Sequence, residues 1–283
     1  MKKIRDVIII GCGPAGASAA IQLKRMGFTP LVFEKNEIGG LSANANLIEN
    51  YLGYPGGING VRFCSLLKKQ ILNHKIEVRF EEIKTAEFNA GNFIVRSDNG
   101  NYNSKYLIDA TGTEPVIPND IVIEEKVRGK VFFEIKNILK LRNKEIAVLG
   151  GGDAAFDYSL NLSKNNNVSI YNRSNNFKCL DLLFNRAKKN RNISINKNYI
   201  LRSISGYGNK AILNFKANQK KEKSVNADYI IIAFGRSPAK DYGIINKKFF
   251  CIGDKINGNF RQISLSVGDG VKTAMRIYKS ENE

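Results

Sequence analysis

The chain has 283 residues, about twice the length of an ordinary domain, and 43% of them are hydrophobic, which predicts two domains with cores of their own and excludes an extended disordered chain. No apolar run approaches the ~20 residues that a membrane-spanning helix needs, so we expect no membrane partner. The formal net charge of +18 favours acidic partners or phosphate-bearing ligands, and because no nucleic-acid recognition motif accompanies it, nucleic acid is not an expected partner.

The first predicted elements are a strand, a glycine loop and a helix in immediate succession. The β-branched residues 7–10 run into Gly11-x-Gly13-x-x-Gly16, and the next short strand ends at Glu34. The glycines allow a tight turn and the close approach of a pyrophosphate, the helix N-terminus supplies amide groups, and the acid can bind a ribose hydroxyl. Because all of these features fall at the required spacing, we predict a dinucleotide site at this loop.

The same pattern recurs later in the chain. Residues 146–173 again give a short strand, a glycine turn, a helix-length segment and a second strand. Each copy is followed by a buried-type strand that ends in a glycine loop, at 106–118 and at 229–238. These repeated βαβ units predict two nucleotide-binding modules that are built alike.

A last short strand, 249–254, and a closing helix over 267–278 follow the second module. Because they fall beyond it, we expect the first domain to be discontinuous. The predicted fold class is α/β, with two Rossmann-like, three-layer dinucleotide-binding domains, the second inserted into the first. The expected boundaries are 1–113 with 246–283 for the first domain and 114–245 for the inserted domain.

The second fingerprint, Gly150-x-Gly152-x-x-Ala155, differs from the first at the ribose position. No acid stands where its second strand ends; Arg173 follows there, with Lys178 nearby. A guanidinium can pair with a 2′-phosphate, which favours NADPH over NADH. An ordinary solvated arginine is an equally good interpretation in a chain with 44 basic residues.

Several shorter motifs accompany the fingerprints. They are Glu34-Lys35 before Gly39-Gly40-Leu41, the stretch 48–55, Ala110-Thr111-Gly112, and Gly253-Asp254 before Arg261-Gln262. With them, essentially the whole chain resembles the low-molecular-weight thioredoxin reductase family. The resemblance implies FAD in the first domain, NADPH or NADH in the second, a homodimer, and domains that rotate about hinges near 112–118 and 235–243.

The fingerprints and the resemblance imply two sets of cofactor-binding residues. The expected FAD ligands are Gly11, Gly13, Pro14, Ala15, Gly16, Glu34, Lys35, Gly40, Leu41, Asn50, Thr111, Gly112, Gly253, Asp254, Arg261 and Gln262. The expected NAD(P)H ligands are Gly150, Gly152, Asp153, Ala154, Ala155, Arg173, Lys178 and Gly235. The resemblance implies that Glu34 binds the adenosine ribose and Asp254 the ribityl chain. It also implies that Gln262 lies beside the flavin ring at a helix N-terminus, which favours negative charge on a reduced flavin.

The redox cysteine pair of that family has no counterpart in this chain. Residues 128–152 align with the family without a gap, and Phe133 and Lys136 occupy the two cysteine positions. Neither side chain can exchange with a disulfide. The chain has four cysteines elsewhere, with no C-x-x-C among them: Cys12, Cys64, Cys179 and Cys251. Their wide spacing predicts no disulfide framework and no metal site, and it favours a cytoplasmic protein.

These observations predict an NAD(P)H-dependent FAD oxidoreductase without a dithiol. Some relatives that lack the cysteine pair act on ferredoxin or flavodoxin, so the resemblance implies an acidic carrier protein of that type, or a small molecule, as electron acceptor. Two basic clusters could form a docking surface, or could equally be solvated faces: Arg186, Lys188, Lys189 and Arg191, and Lys216, Lys220, Lys221 and Lys223. Two alternatives stay open: a disulfide reductase that uses unconventional cysteines, and a non-catalytic flavin-binding protein.

Overall fold

The chain forms two compact units in a computed structural model, which describes residues 4–216 and 222–283. The first unit comprises Met1–Ala43, Ile48–Glu114 and Ser237–Glu283, and the second comprises Asn44–Leu47 and Pro115–Arg236. Lys220 and Lys221 of the second basic cluster lie outside the described residues.

The chain returns to the first unit earlier than the sequence suggested. The return occurs at Ser237, whereas position 246 was expected. The physical reason is that Tyr242 and Ile244 pack against the core of the first unit, beside Phe33 and Phe93. A short segment without a strong strand or helix pattern is assigned by such packing, which its own residues do not reveal.

One seven-stranded sheet forms the centre of the first unit. Its strands are β1 (Ile4–Ile10), β2 (Leu31–Phe33), β3 (Glu77–Arg79), β4 (Thr85–Asn89), β5 (Asn92–Ser97), β6 (Gly100–Asp109) and β18 (Phe249–Cys251). The strand order is β3-β2-β1-β6-β5-β4, with β18 also paired to β6. β1, β2, β3, β6 and β18 pair in parallel, and β4 and β5 extend the sheet in antiparallel fashion. The carboxyl ends of the parallel strands therefore meet at one edge, where such folds bind dinucleotides.

The second unit repeats this order. Its parallel sheet contains β9 (Val131–Phe132), β10 (Glu145–Leu149), β11 (Asn167–Tyr171), β12 (Ile193–Asn196) and β16 (Tyr229–Ile232) in the order β12-β11-β10-β16-β9. A four-stranded sheet is built from β8 (Val122–Ile123), β13 (Ile200–Tyr207), β14 (Lys210–Lys216) and β15 (Glu222–Ala227). The order β3-β2-β1-β6 thus recurs as β12-β11-β10-β16, which confirms the predicted α/β fold with two similar modules.

Five helices and a two-stranded sheet complete the described fold. The helices are α1 (Pro14–Arg25), α2 (Gly60–Asn73), α3 (Asp153–Leu162), α4 (Asp181–Lys189) and α5 (Ile263–Asn282), and the short strands β7 (Thr113–Pro115) and β17 (Arg236–Pro238) pair with each other. α5 is longer than the helix predicted over 267–278, and it packs on α1, where the Ser18 hydroxyl donates to the carbonyl oxygen of Val267 at 2.9 Å. Across the described part of the chain, no helix has both the length and the apolar character to cross a membrane.

Candidate functional site

The first glycine loop joins β1 to α1 and leaves no room for side chains. Gly11 has a φ of +100°, and a Cβ on it would lie 2.4 Å from the carbonyl oxygen of Ala110. A Cβ on Gly16, in the first turn of α1, would lie 2.0 Å from the carbonyl oxygen of Gly11. α1 therefore lies directly on the loop. Its N-cap residue is Gly13, which has no side chain to cover the first amide groups, and this geometry fits a pyrophosphate.

Glu34 lies immediately after β2, and the backbone holds its carboxylate in one orientation. Oε2 accepts the N–H of Cys12 at 2.8 Å, and Oε1 accepts the N–H of Asn36 at 2.9 Å. The residue is buried. A carboxylate that is already fixed by the glycine loop can receive ribose hydroxyls without a further loss of side-chain freedom. The geometry therefore fits the adenosine ribose position implied for Glu34.

Two later segments pack against the first glycine loop. The loop 39–41 is tied to it because the N–H of its first residue donates to the carbonyl oxygen of Cys12 at 2.9 Å. Gly253 lies against the start of α1, since a Cβ on it would be 2.7 Å from the Cβ of Ala15. The structure thus brings the Gly-Gly-Leu and Gly-Asp motifs, which are far apart in sequence, to the same loop.

The start of α5 collects three more of the predicted FAD residues. Gln262 is the N-cap residue of α5, as the resemblance implies, and its Oε1 accepts a hydrogen bond from Nδ2 of Asn50 at 2.7 Å. Asp254 accepts the hydroxyl of Ser266, in the first turn of α5, at 3.1 Å. The others take simpler positions: Pro14 and Ala15 begin α1, Lys35 is exposed after Glu34, Gly112 follows β6, and Arg261 is half-buried before α5.

Sequence reasoning missed a buried ion pair beside these residues. Oδ2 of Asp109 lies 2.8 Å from Nζ of Lys255, and the two side chains are 0% and 6% exposed. Oδ1 of Asp109 accepts the hydroxyl and the N–H of Thr111 at 2.6 and 3.1 Å, so the pair supports a predicted FAD residue. Nζ of Lys255 also donates to the carbonyl oxygen of Ala239 at 3.2 Å. The only sequence signals were an Asp before Ala-Thr-Gly and a Lys after Gly-Asp, and neither identifies its partner.

The second glycine loop joins β10 to α3 in the same way. A Cβ on Gly150 would lie 2.5 Å from the carbonyl oxygen of Ala233, and the N-cap residue of α3 is Gly152. Asp153 accepts the N–H of Leu180 at 2.8 Å, which ties the segment after β11 to the start of α3. Two predicted residues complete the first turn and a third follows β16: Ala154, Ala155 and Gly235. This geometry also fits a nucleotide pyrophosphate.

Arg173 and Lys178 both lie on the segment between β11 and α4. The N–H of Lys178 donates to the carbonyl oxygen of Gly151 at 2.8 Å, and Lys178 forms an isolated β-bridge with Gly152. Both side chains are exposed. The structure therefore fastens the segment that carries the two predicted cations to the second glycine loop.

The segment at the family's redox positions is packed and hydrogen-bonded. Phe133 packs against the hydrophobic core of the second unit. The N–H groups of Ile135 and Lys136 both donate to Oδ1 of Asn44 at 2.9 Å, and Asn44 belongs to the second unit. The segment is therefore held in place by its backbone and by an aromatic side chain, and neither offers a thiol.

With this geometry established, the comparison with known proteins decides the family. Residues 5–251 match the pyridine nucleotide-disulphide oxidoreductase family. The chain belongs to this family. It is 28% identical to the thioredoxin reductase of Treponema pallidum (strain Nichols), over 95% of this chain and 94% of that protein. It is 26% identical to the bifunctional thioredoxin reductase/thioredoxin of Mycobacterium leprae (strain TN), over 96% of this chain and 65% of that protein. The crystal structure of T. acidophilum thioredoxin reductase has a TM-score of 0.88 at 28% identity and covers 100% of both chains.

Membership in the pyridine nucleotide-disulphide oxidoreductases establishes the class of activity. The protein is an NAD(P)H-dependent FAD oxidoreductase that is similar to thioredoxin reductases. The residues present fit these cofactors, because each module has a glycine cradle that a side chain would fill and the first module adds an oriented carboxylate. The sequence nevertheless contains no C-x-x-C, so the family alone does not identify the electron acceptor.

Proposed function

We propose that this oxidoreductase takes electrons from NADPH, with NADH as the poorer donor, and passes them through FAD to an acidic carrier protein of the ferredoxin or flavodoxin type. A small molecule is the second candidate acceptor. In this proposal no dithiol takes part. The first unit binds FAD through the predicted FAD residues, and the second unit binds the nucleotide through the second glycine loop, Arg173 and Lys178.

The chemistry of transfer makes few demands on side chains. When bound, FAD would supply the redox chemistry, as an acceptor of hydride and a donor of electrons. The chain's own residues bind and orient: Glu34 would hold the adenosine ribose, and the amide groups at the start of α5 would face negative charge near the ring. Positioning without acid–base catalysis is sufficient for hydride transfer, which agrees with a chain that has a single histidine.

One observation carries the proposal that no dithiol is used. Phe133 and Lys136 stand at the redox positions, and the backbone of this segment is bonded to Asn44. Dithiol relay to a disulfide substrate proceeds by attack of a thiolate on sulfur. Phenyl and ammonium groups cannot do this, so in this proposal the electron acceptor would react with bound FAD itself.

The distribution of charge supports an acidic protein as that acceptor. The second unit has 22 basic and 10 acidic residues, a net charge of +12, whereas the first unit has 22 and 16, a net charge of +6. Lys188 and Lys189 at the end of α4 are exposed, and Arg191 follows them. Such a field raises the encounter rate with an acidic partner.

The first experiment is an anaerobic titration of the FAD-loaded protein with NADPH and then NADH, followed by flavin absorbance. We expect rapid bleaching, with NADPH effective at the lower concentration. A flavin that neither nucleotide bleaches would contradict electron entry through the second unit. The acceptor is then sought by turnover with flavodoxin, ferredoxin, thioredoxin and ferricyanide. Thioredoxin as the best acceptor would instead favour a disulfide reductase.

The carrier proposal has a matched pair of charge variants. In K188E/K189E, the change lies on α4 of the second unit, and in K68E/K69E the same change lies on the exposed side of α2 in the first unit. We expect kcat/KM for the acidic carrier to fall about 10-fold in the α4 variant alone at low salt, and the difference to shrink at high salt. Ferricyanide reduction should be the same in both. Equal losses in both variants would reject α4 as the docking surface.

The resemblance also leads us to propose a homodimer. Light scattering of the FAD-loaded protein should give twice the mass of the chain. A mass equal to that of one chain over the micromolar range would refute the dimer and would leave the electron-transfer proposal intact.

A further inference from the structure

The residue that follows the second strand of each module occupies an equivalent place in the two units. Glu34 follows β2, and Asn172 follows β11. In both modules the first glycine of the loop donates its N–H to the carbonyl oxygen of the last residue of that strand. Gly11 donates to Phe33 at 2.7 Å, and Gly150 donates to Tyr171 at 3.0 Å. Glu34 and Asn172 each donate their own N–H to the next strand, at 2.9 Å in both cases. Asn172 therefore stands where the first module has its ribose-binding acid.

The side chain of Asn172 lies against the second glycine loop. The residue is buried, and a Cβ on Gly151 would lie 2.7 Å from Oδ1 of Asn172. In the first module, the carboxylate at this place accepts an N–H from the middle residue of the loop. In the second module, the amide hydrogens of Asn172 point to other partners: Nδ2 donates to the carbonyl oxygens of Ser174 at 3.0 Å and Asn176 at 2.8 Å.

These two bonds fold the turn that carries the predicted cations. Arg173 lies between Asn172 and the first acceptor, and Lys178 lies two residues beyond the second acceptor. The far side of the turn is held by the bond from the N–H of Lys178 to the carbonyl oxygen of Gly151. The positions of both cations relative to the glycine loop thus depend on the side-chain amide of Asn172, which donates two hydrogen bonds. A carboxylate has no hydrogen to donate and could not form them.

We propose that Asn172 determines the nucleotide preference of the second unit. It does so in two ways: it places no negative charge beside the nucleotide 2′ position, and it holds the turn that presents Arg173 and Lys178 to a 2′-phosphate. This inference rests on the proposed nucleotide site of the second unit and names the residue that selects the phosphorylated cofactor.

The test is the N172D variant, which keeps the shape of the side chain. In this variant a carboxylate oxygen replaces the Nδ2 group, so the two hydrogen bonds to carbonyl oxygens are lost and oxygens oppose each other. The added negative charge repels a phosphate, and the new carboxylate competes with that phosphate for Arg173. A carboxylate at this place can also accept ribose hydroxyls, as NAD-binding modules require. We expect the affinity for NADP⁺ to fall about 100-fold and the affinity for NAD⁺ to stay level or rise.

Binding of NADP⁺ and NAD⁺ to the oxidised, FAD-loaded protein is measured by calorimetry, because binding needs no electron transfer. The N172A variant separates the two effects: it removes the donors without adding charge, and we expect NADP⁺ to bind about 3- to 10-fold more weakly with NAD⁺ unchanged. Asn166 offers a matched control in the same unit. It is buried, and its Nδ2 donates to the carbonyl oxygens of Leu141 and Leu162. N166A should destabilise the fold and leave the ratio of the two affinities unaltered.

A ratio of NADP⁺ to NAD⁺ affinity that is the same in wild type, N172A and N172D overturns the inference. A wild-type protein that prefers NAD⁺, or that binds neither nucleotide, overturns it as well. The proposed function fails separately, when neither NADPH nor NADH bleaches the flavin. If N172D does not fold, N172A and N166A together still decide the question, since only the former should change the ratio.

Discussion

The two glycine loops of this protein share their backbone hydrogen bonds and differ in the side chains around them. In both, the residue that directly follows β6 or β16, Ala110 or Ala233, donates its N–H to the last carbonyl oxygen of the strand before the loop at 2.8 Å. Its carbonyl oxygen also lies only 2.4 Å (Ala110) or 2.5 Å (Ala233) from the place that a Cβ on the first loop glycine would take. At other places the loops diverge. Gly16, Glu34 and Asp109 of the first module correspond to Ala155, Asn172 and Ile232 of the second. Of the three, Asp109 also belongs to a buried ion pair.

In the proposed assignment, one loop architecture serves two different nucleotides. Tight turns and free helix amides are requirements of any pyrophosphate, so the backbone is shared. The group attached to the ribose differs between dinucleotides, so the side chains at the strand ends differ: Glu34 in the first module, and Asn172 with Arg173 in the second. In the proposed assignment, cofactor choice is therefore located in a few side chains, and substitutions there should alter binding without altering the fold.

The largest effect is expected at the buried pair Asp109–Lys255, where the second module has an apolar residue at the position of Asp109. Asp109 ends β6, and Ile232 ends β16 at the equivalent register position. K255M leaves a carboxylate buried without its cation, which costs about 3–5 kcal/mol. Denaturant unfolding of the FAD-loaded protein measures this loss. The double variant D109I/K255M, which places at 109 the residue type of Ile232, should regain most of this loss, less about 1–2 kcal/mol for the bonds to Thr111. A double variant as unstable as K255M would show that the pair is not exchangeable for apolar packing.

A smaller loss is expected at the third position of each fingerprint. G16A forces a Cβ to within 2.0 Å of the carbonyl oxygen of Gly11, and the displacement of α1 should cost about 2–3 kcal/mol and loosen FAD. The reverse change in the second module, A155G, removes a methyl group from a helix that already accepts it, and should cost about 1 kcal/mol. FAD retention on gel filtration and the free energy of unfolding provide the measurements. Similar costs for both changes would mean that the two helices approach their loops equally closely.

These residues also show what could and could not be predicted from the sequence. The glycine loops were predictable because their constraints are local. The positive φ at Gly11 requires a glycine at that position, and the spacing of the fingerprint can be read from neighbouring residues. The Asp109–Lys255 pair joins residues 146 positions apart, and the approach of Gly253 to α1 depends on the last strand of the chain. The donors of Asn172 could not be assigned either, because an asparagine after a strand looks the same whether it caps a turn or faces solvent. Long-range contacts settle such positions, and periodicity does not report them.

A selective effect on the nucleotide is expected from R173A. Loss of one guanidinium contact to a 2′-phosphate should lower the affinity for NADPH about 10-fold or more. The affinity for NADH, which lacks that phosphate, should stay the same. Anaerobic flavin titrations with each nucleotide provide the comparison, and Arg191, exposed beyond α4, gives a control substitution of the same type, R191A. Equal weakening of both nucleotides by R173A would make Arg173 an ordinary solvated residue and would remove the main difference between the modules at the ribose.

The smallest effect is expected at the cysteines. The described structure holds all four as free thiols, with Cys12 and Cys64 buried. Burial raises the pKa of the Cys12 thiol and raises the pKa of Cys251 to about 11, and it also raises the pKa of Cys179. Because the thiolate is the reactive form, a pKa of about 11 leaves roughly a thousandth of Cys251 ionised at pH 8, and the fraction grows only as the pH rises towards that pKa.

Iodoacetamide at pH 8 should therefore change NADPH-driven turnover less than twofold, in contrast to an enzyme that cycles through a dithiol. A variant with alanine at all four positions that is folded, holds FAD and is bleached by NADPH, yet has lost turnover with every acceptor, would return the protein to the disulfide reductases.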